Sequence, residues 1–445
     1  MRYRGLFVHS APVIVSISLV TLAAAADLYN DAEARSSALG GEEVAAGESV
    51  LAAMNSNPAA LSSLDRPAAA VTVTGAILNG KFVQSGRSNP LHDSNGVIAS
   101  AALAIPLPGR WPVRIGLAVI PDLTLESNWT YPDQLGGLGG ATSYGLQSYH
   151  SRILSLRSML GASLEVTPWL SLGASAGVVY GQDELTAPYI FQSQRILAGF
   201  KTLLKLETDG YAPTFDFGVQ FRPLSTLTVG LSYRPPVELS AHGRATGNAK
   251  AQLVALGGGF IQARPDFGYD AEVETELPQR AAIGAEWQVD PRFRLVAGID
   301  WLGWSSAFDQ LHIHLTNGNN AEINGVAGSS SLTDVAPLHW RDQFIYRTGV
   351  EFAVNDKLEV RVGYSYGRSP VPNETLAPLN AAIFEHAVSA GLGYSWGRYR
   401  ADLSYQWRLP AVQRVDQSLL LAGEYSHSSI ALSAHVLQLS TGVEF

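Results

Sequence analysis

The chain holds 10 histidines and no cysteine, which leaves little covalent or metal chemistry within reach. Without a thiol there is no disulfide framework, no thiolate zinc site, no thiol nucleophile and no lipid-modified N-terminal cysteine. A lipid hydrolase would need a serine, a histidine and an orienting polar group brought together, and no recognisable nucleophile motif surrounds any serine. His312 and His314 stand two residues apart, at metal-compatible spacing on one strand face, yet no third ligand is near. They read as ordinary exposed or interior histidines, and the sequence predicts no catalytic residue, no metal and no cofactor. Its distinctive chemistry is charge placed against oil. Arg114, Arg222, Arg280, Arg294, Arg347, Arg361, Arg400 and Arg408, with Asp216, Glu286, Asp300, Glu351, Glu359 and Asp402, stand in extended runs where every second side chain is apolar. That spacing suits a wall with water on one side and hydrocarbon on the other.

Strands must position those charges. Leu358, Val360, Val362, Tyr364 and Tyr366 fall on one face, opposed by Glu359, Arg361, Gly363, Ser365 and Gly367. Tyr399, Ala401, Leu403, Tyr405, Trp407 and Leu409 likewise oppose Arg400, Asp402, Ser404, Gln406 and Arg408. Similar runs lie near residues 68–80, 95–106, 112–125, 150–166, 169–182, 205–222, 225–241, 273–289, 291–315, 338–354, 357–367, 382–396, 398–409 and 430–445, fourteen in all. Tight links at Pro108-Gly109, Thr167-Pro168, Pro223-Leu224, Asp290-Pro291, Asn355-Asp356 and Gly397 alternate with long ones rich in Gly, Ser, Asn and Pro. Short periplasmic turns, long external loops and an even strand number are the pattern of a bacterial outer-membrane barrel. Turning one of the arginines to the lipid midplane would cost about 2–4 kcal/mol, so together they fix the register and give the lumen both signs of charge.

Composition agrees. The chain is 46% hydrophobic and 16% charged, with mean hydropathy +0.07, so apolar residues are dispersed rather than gathered into a spanning helix. Residues 1–26 read as a secretory signal, with Arg2 and Arg4 ahead of an apolar run and Ala24-Ala25-Ala26 as the cleavage site. Losing those two arginines takes the formal charge of -9 to about -11, which excludes a nucleic-acid partner.

Residues 27–66 do not alternate. Within them Asn57-Pro58-Ala59 offers an N-cap and a first-turn proline. That signature before fourteen strands, with Leu39-Gly40-Gly41, resembles the N-terminal hatch of the FadL family of outer-membrane transporters. The downstream half is similar too: Tyr233-Arg234-Pro235, Asp300-Trp301-Leu302-Gly303-Trp304-Ser305, Trp340-Arg341-Asp342 to Tyr346-Arg347, Val360 to Gly363, and most specifically Ser369-Pro370-Val371-Pro372. A chain ending on Phe445 is again what the resemblance implies, as in barrels handed to the outer-membrane insertion machinery.

The resemblance implies an all-β fold, a 14-stranded antiparallel transmembrane β-barrel with an N-terminal plug inside the lumen, laid out as signal 1–26, hatch 27–66 and barrel 67–445. It implies passive uptake of hydrophobic compounds, long-chain fatty acids or aromatic hydrocarbons, by a monomer set among outer-membrane lipids and lipopolysaccharide. Ligand in such proteins is captured by external loops, passed to a lumenal pocket and released sideways at a kinked third strand. Here the apolar loop residues Ile190, Phe191, Ile196, Leu197, Phe200, Leu203, Leu204, Leu256, Phe260 and Ile261 are the candidates for capture. Arg195, Lys201 and Lys205 are candidates to attract a carboxylate. Pro121-Asp122 marks the candidate lateral gate, because proline cannot donate to a strand ladder. The rival readings are a lipid hydrolase and a general porin.

Overall fold

The computed structural model describes residues 31–45, 49–92, 94–194 and 196–445. The expected signal and Arg195 lie outside them. The alternation closes into fourteen antiparallel strands. In chain order these are β1 (Ala68–Gln84), β2 (Asn95–Pro106), β3 (Val113–Pro132), β4 (Leu146–Thr167), β5 (Leu170–Ile190), β6 (Lys201–Leu224), β7 (Leu227–Arg234 and Val237–Asn248) and β8 (Asp266–Leu277 and Arg280–Asp290). They continue as β9 (Phe293–Leu302 and Gln310–Thr316), β10 (Leu332–Pro337 and Gln343–Ala353), β11 (Leu358–Gly367), β12 (His386–Trp396), β13 (Tyr399–Val415) and β14 (Ser428–Glu444). The last strand pairs with the first from Ala68↔Glu444 to Gln84↔Ser428, which removes both sheet edges.

The wall is inside out relative to a soluble protein. Val71 is 48% exposed and its neighbour Thr72 1%, and the same inversion runs around the barrel, with Leu103, Leu117, Leu160, Phe215, Ile283 and Val362 outside. The expected lumenal charges face inward, where Arg361 reaches Glu351 (2.6 Å), Asp402 (2.7 Å) and Glu359.

Two features exceed the expected runs. Strands β3 to β6 extend well past the apolar band, so that β3 reaches Pro132 and β4 begins at Leu146. Strands β7 to β10, read from sequence as continuous, are each interrupted. Pro235-Pro236 and Pro278 supply no ladder donors there. In β9 and β10 the interruptions turn Trp304, Phe308 and Trp340 into the barrel, where their rings pack 4.8–5.2 Å apart.

Candidate functional site

The lower lumen is filled by the chain's own N-terminal segment. After residue 31 come two short helices, α1 (Ala34–Ala38) and α2 (Val50–Asn55), and a 3-10 turn (Pro58–Ser63), none long enough to be stable alone. Ala34, Leu51, Met54, Ala59 and Leu61 are all fully buried. Asn57 has three bonds: its Oδ1 accepts from the Ala59 amide (3.1 Å), and its Nδ2 donates to the carbonyls of Val44 (2.7 Å) and of Val219 on β6 (3.1 Å). It therefore caps the turn and staples it to the wall. Close approach demands glycine beneath: a Cβ on Gly173 would stand 2.2 Å from the Ala59 nitrogen, and one on Gly218 2.0 Å from Asn57 Oδ1. Arg35 makes a two-point contact with Glu351 (3.0 and 3.3 Å), and Arg347 donates to the Gly40 carbonyl (3.0 Å). Burial pushes the Glu42 and Glu43 carboxyls up to about 8, with Asp31 adding to the effect on Glu43.

Above this segment the third strand leaves its neighbour. The β2–β3 ladder runs only from Pro106↔Arg114 to Ala101↔Val119, and pairing resumes at an isolated bridge, Leu91↔Trp129. Between those points β2 pairs with β1 and β3 with β4, so the wall carries a window beside residues 120–127 of β3. Pro121-Asp122 lies at its lower edge. The β3–β4 register slips between Pro121 and Thr124, and six successive residues from Ile120 to Leu125 are buried, which shows the strand bending into the lumen.

Asp122 is more than a bend residue. It meets Arg157 (3.0 Å) and Arg234 (3.0 Å), and the same two guanidiniums hold Asp216 (3.0 and 2.5 Å). Both also donate to the carbonyl of Asn55, at the end of α2 (3.1 and 2.9 Å). One buried cluster thus ties the bent strand to the N-terminal segment. Sequence reasoning missed Arg157, although its parity with Ser155 and Met159 places it on the lumenal face.

The upper lumen is apolar. The loop after β11, opening with Ser369-Pro370-Val371-Pro372, folds inward rather than outward, burying Val371, Leu376, Ala382, Ile383 and Phe384. It meets the window strand through Trp129, whose Nε1 donates to the Pro378 carbonyl (3.0 Å). Phe82, Tyr131, Tyr149 and Tyr425 complete the cluster, with Tyr131 and Tyr149 stacked at 3.7 Å.

The loop residues expected to capture ligand divide in two. Phe191, Leu197, Phe200 and Leu204 pack into a second apolar cluster beneath the external loops, and Ile190 is also buried. Leu203 is half-buried, and Ile196, Leu256, Phe260 and Ile261 are exposed, so only this second group is open to a molecule arriving from outside. Lys201 is fully buried against Asp133 (2.6 Å) and Glu424 (3.0 Å), and would have to give one up to meet a carboxylate. Lys205 is on the outer face, paired with Glu207 (2.7 Å). His312 and His314 are half-buried on the outer face of β9, where His314 Nε2 lies 3.6 Å from Glu274.

The family model described as outer membrane protein transport protein (OMPP1/FadL/TodX) matches residues 14–406. Among solved structures the fold is similar to the toluene transporter TodX of Pseudomonas putida (TM-score 0.73, 18% identity, covering 94% of this chain and 99% of that one). It is also similar to a FadL homologue of Pseudomonas aeruginosa (0.72, 17%, 96% and 98%) and to the toluene transporter TbuX of Ralstonia pickettii (0.69, 16%, 94% and 99%). A Neisseria meningitidis serogroup B protein, whose name places it provisionally in the outer membrane, is 25% identical over 226 residues, 46% of each chain, so the chain spans about half the length of the curated relative it matches.

Proposed function

The chain belongs to the outer membrane protein transport family (OMPP1/FadL/TodX), and on that premise we propose that it passes apolar molecules from the external loops, through the upper lumen, sideways into the membrane at the β2–β3 window. The window carries this reading. It opens the wall where the lumen changes from ion-paired to aromatic, and an apolar molecule leaving there never crosses periplasmic water, where it would gain nothing. The exposed Leu256, Phe260 and Ile261 supply the landing surface, and the cluster around Trp129 the interior resting place. The N-terminal segment serves as the plug, so water and ions do not follow. Toluene, named for two of the structural neighbours, is the first compound to try, with a long-chain fatty acid as the contrast.

The test is to close the window. Ser100 and Ile120 stand where the next rung would form, so a Ser100→Cys/Ile120→Cys pair can be oxidised across it. Uptake of labelled toluene or oleate by intact cells should fall at least tenfold on oxidation and return on reduction. Undiminished uptake through a fully cross-linked barrel would rule the lateral route out.

A further inference from the structure

The lumenal aspartates of the wall described above have cations: Asp122 and Asp216 share two arginines, Asp300 has Arg280 (2.9 Å) and Arg347 (3.0 Å), and Asp402 has Arg361 and Arg400. Asp183 differs. It faces the lumen from β5, on a rung that runs Leu125, Ile153, Asp183, Thr208 across β3 to β6. Among the described residues its carboxyl makes no ion pair and no hydrogen bond, and its Oδ2 is closed off without a partner. Its cross-strand neighbour Thr208 is 3% exposed, and its hydroxyl is likewise without a partner. Two adjacent unsatisfied polar groups in an apolar passage are each costly, and native interiors rarely keep them without a use.

Their surroundings point to a ligand. Ile153 and Leu185, beside Asp183, are half-buried and pack against the upper aromatic cluster. Leu125, two strand spacings or about 10 Å away, borders the window. The rung thus runs from the window edge at Leu125, past Ile153 beside that cluster, to Asp183 and Thr208.

Resting on the transport reading, we propose that Asp183 and Thr208 form a polar notch in the apolar passage, selecting hydrophobic compounds that carry a hydrogen-bond donor, a hydroxyl or an ammonium, over plain hydrocarbons and carboxylates. The carboxyl accepts the donor, and the Thr208 hydroxyl bonds the ligand heteroatom. A hydrocarbon leaves both groups unsatisfied, and a carboxylate brings a second acceptor to a site already rich in them.

The experiment is equilibrium binding to the full mature barrel in detergent with four probes that share one benzene ring and a two-carbon chain: ethylbenzene, 4-ethylphenol, 2-phenylethylamine and 4-ethylbenzoate. The phenol or the amine should bind roughly tenfold more tightly than ethylbenzene, the value of one buried hydrogen bond, and 4-ethylbenzoate no better than ethylbenzene. Asp183→Leu should erase that preference while ethylbenzene binding stays within about twofold. Asp183→Asn keeps the size of the side chain and an acceptor, so it should retain a phenol preference and lose an amine one. Absence of a preference in the native chain, or its survival in Asp183→Leu, overturns the notch and leaves the transport reading standing. Failure of all four probes to bind counts against transport itself.

Discussion

The two halves of the lumen are filled by different physics. Below the window the N-terminal segment is held by ion pairs, directed hydrogen bonds and backbone seated on glycine, as in Arg35 with Glu351, Asn57 with Val219, and Ala59 over Gly173. Above it, the loop after β11 is held mainly by side chains such as Leu376, Ile383 and Phe384 against Trp129 and Phe82. Directed contacts tolerate one arrangement, whereas apolar contact is non-directional and exchanges one greasy partner for another with little loss. The lower half therefore holds one arrangement and the upper half tolerates several, with the Asp122 cluster joining them.

Breaking the seat should have the largest effect. Gly173→Leu places side-chain atoms where the Ala59 backbone lies, so the segment must come away, and conductance in planar bilayers should rise by an order of magnitude or more. Deleting residues 27–64 should do the same, and a general porin would conduct freely without either change. Next comes the joint. Arg157→Ala leaves Asp122 and Asp216 short of a buried cation and should cost about 3–5 kcal/mol, read as a lower unfolding temperature in detergent. The same truncation in the upper half, Phe384→Ala, should weaken binding of toluene or oleate severalfold while leaving conductance closed; an open channel would show that the upper loop also acts as a plug.

A pH effect should follow in the lower half. Glu42 faces Asp300, Arg347 and Arg280, and Glu43 faces Asp31, Glu33 and Asn55; both keep their protons to about pH 8 when seated but ionise near 4.5 when released. The seated state binds more protons, so the seat is firmest below about pH 4.5 and weakens as pH climbs to about 8. Hydrogen-exchange protection of residues 31–45, relative to the intrinsic rate at each pH, should fall over that interval, and Glu42→Gln/Glu43→Gln should flatten the fall. The smallest effect belongs to Lys205→Ala, whose exposed pair with Glu207 is screened by solvent, so uptake should stay within about twofold.

The wall was legible in the sequence because its signal is local. Each outward valine or tyrosine and each inward arginine is decided by its own position in the alternation, and the turns at Asp290-Pro291 and Gly397 punctuate it. The bend was legible for the same reason, since Pro121 lacks a donor wherever it sits. The loop hydrophobes were not: Phe200 and Ile196 look alike in sequence, yet one is buried and the other exposed, because burial depends on what another loop brings against them.

By itself, then, the sequence determined a closed barrel with its oil outside and its charges inside, since an inverted period-two pattern leaves no other stable arrangement in a bilayer. Only the tertiary structure decided that Asp122 would meet Arg157 and Arg234, that the loop after β11 would turn inward, and that Asp183 would face the lumen without a partner among the described residues. Those are meetings of residues far apart in the chain, and the charges and rings that meet carry no local mark of their partner.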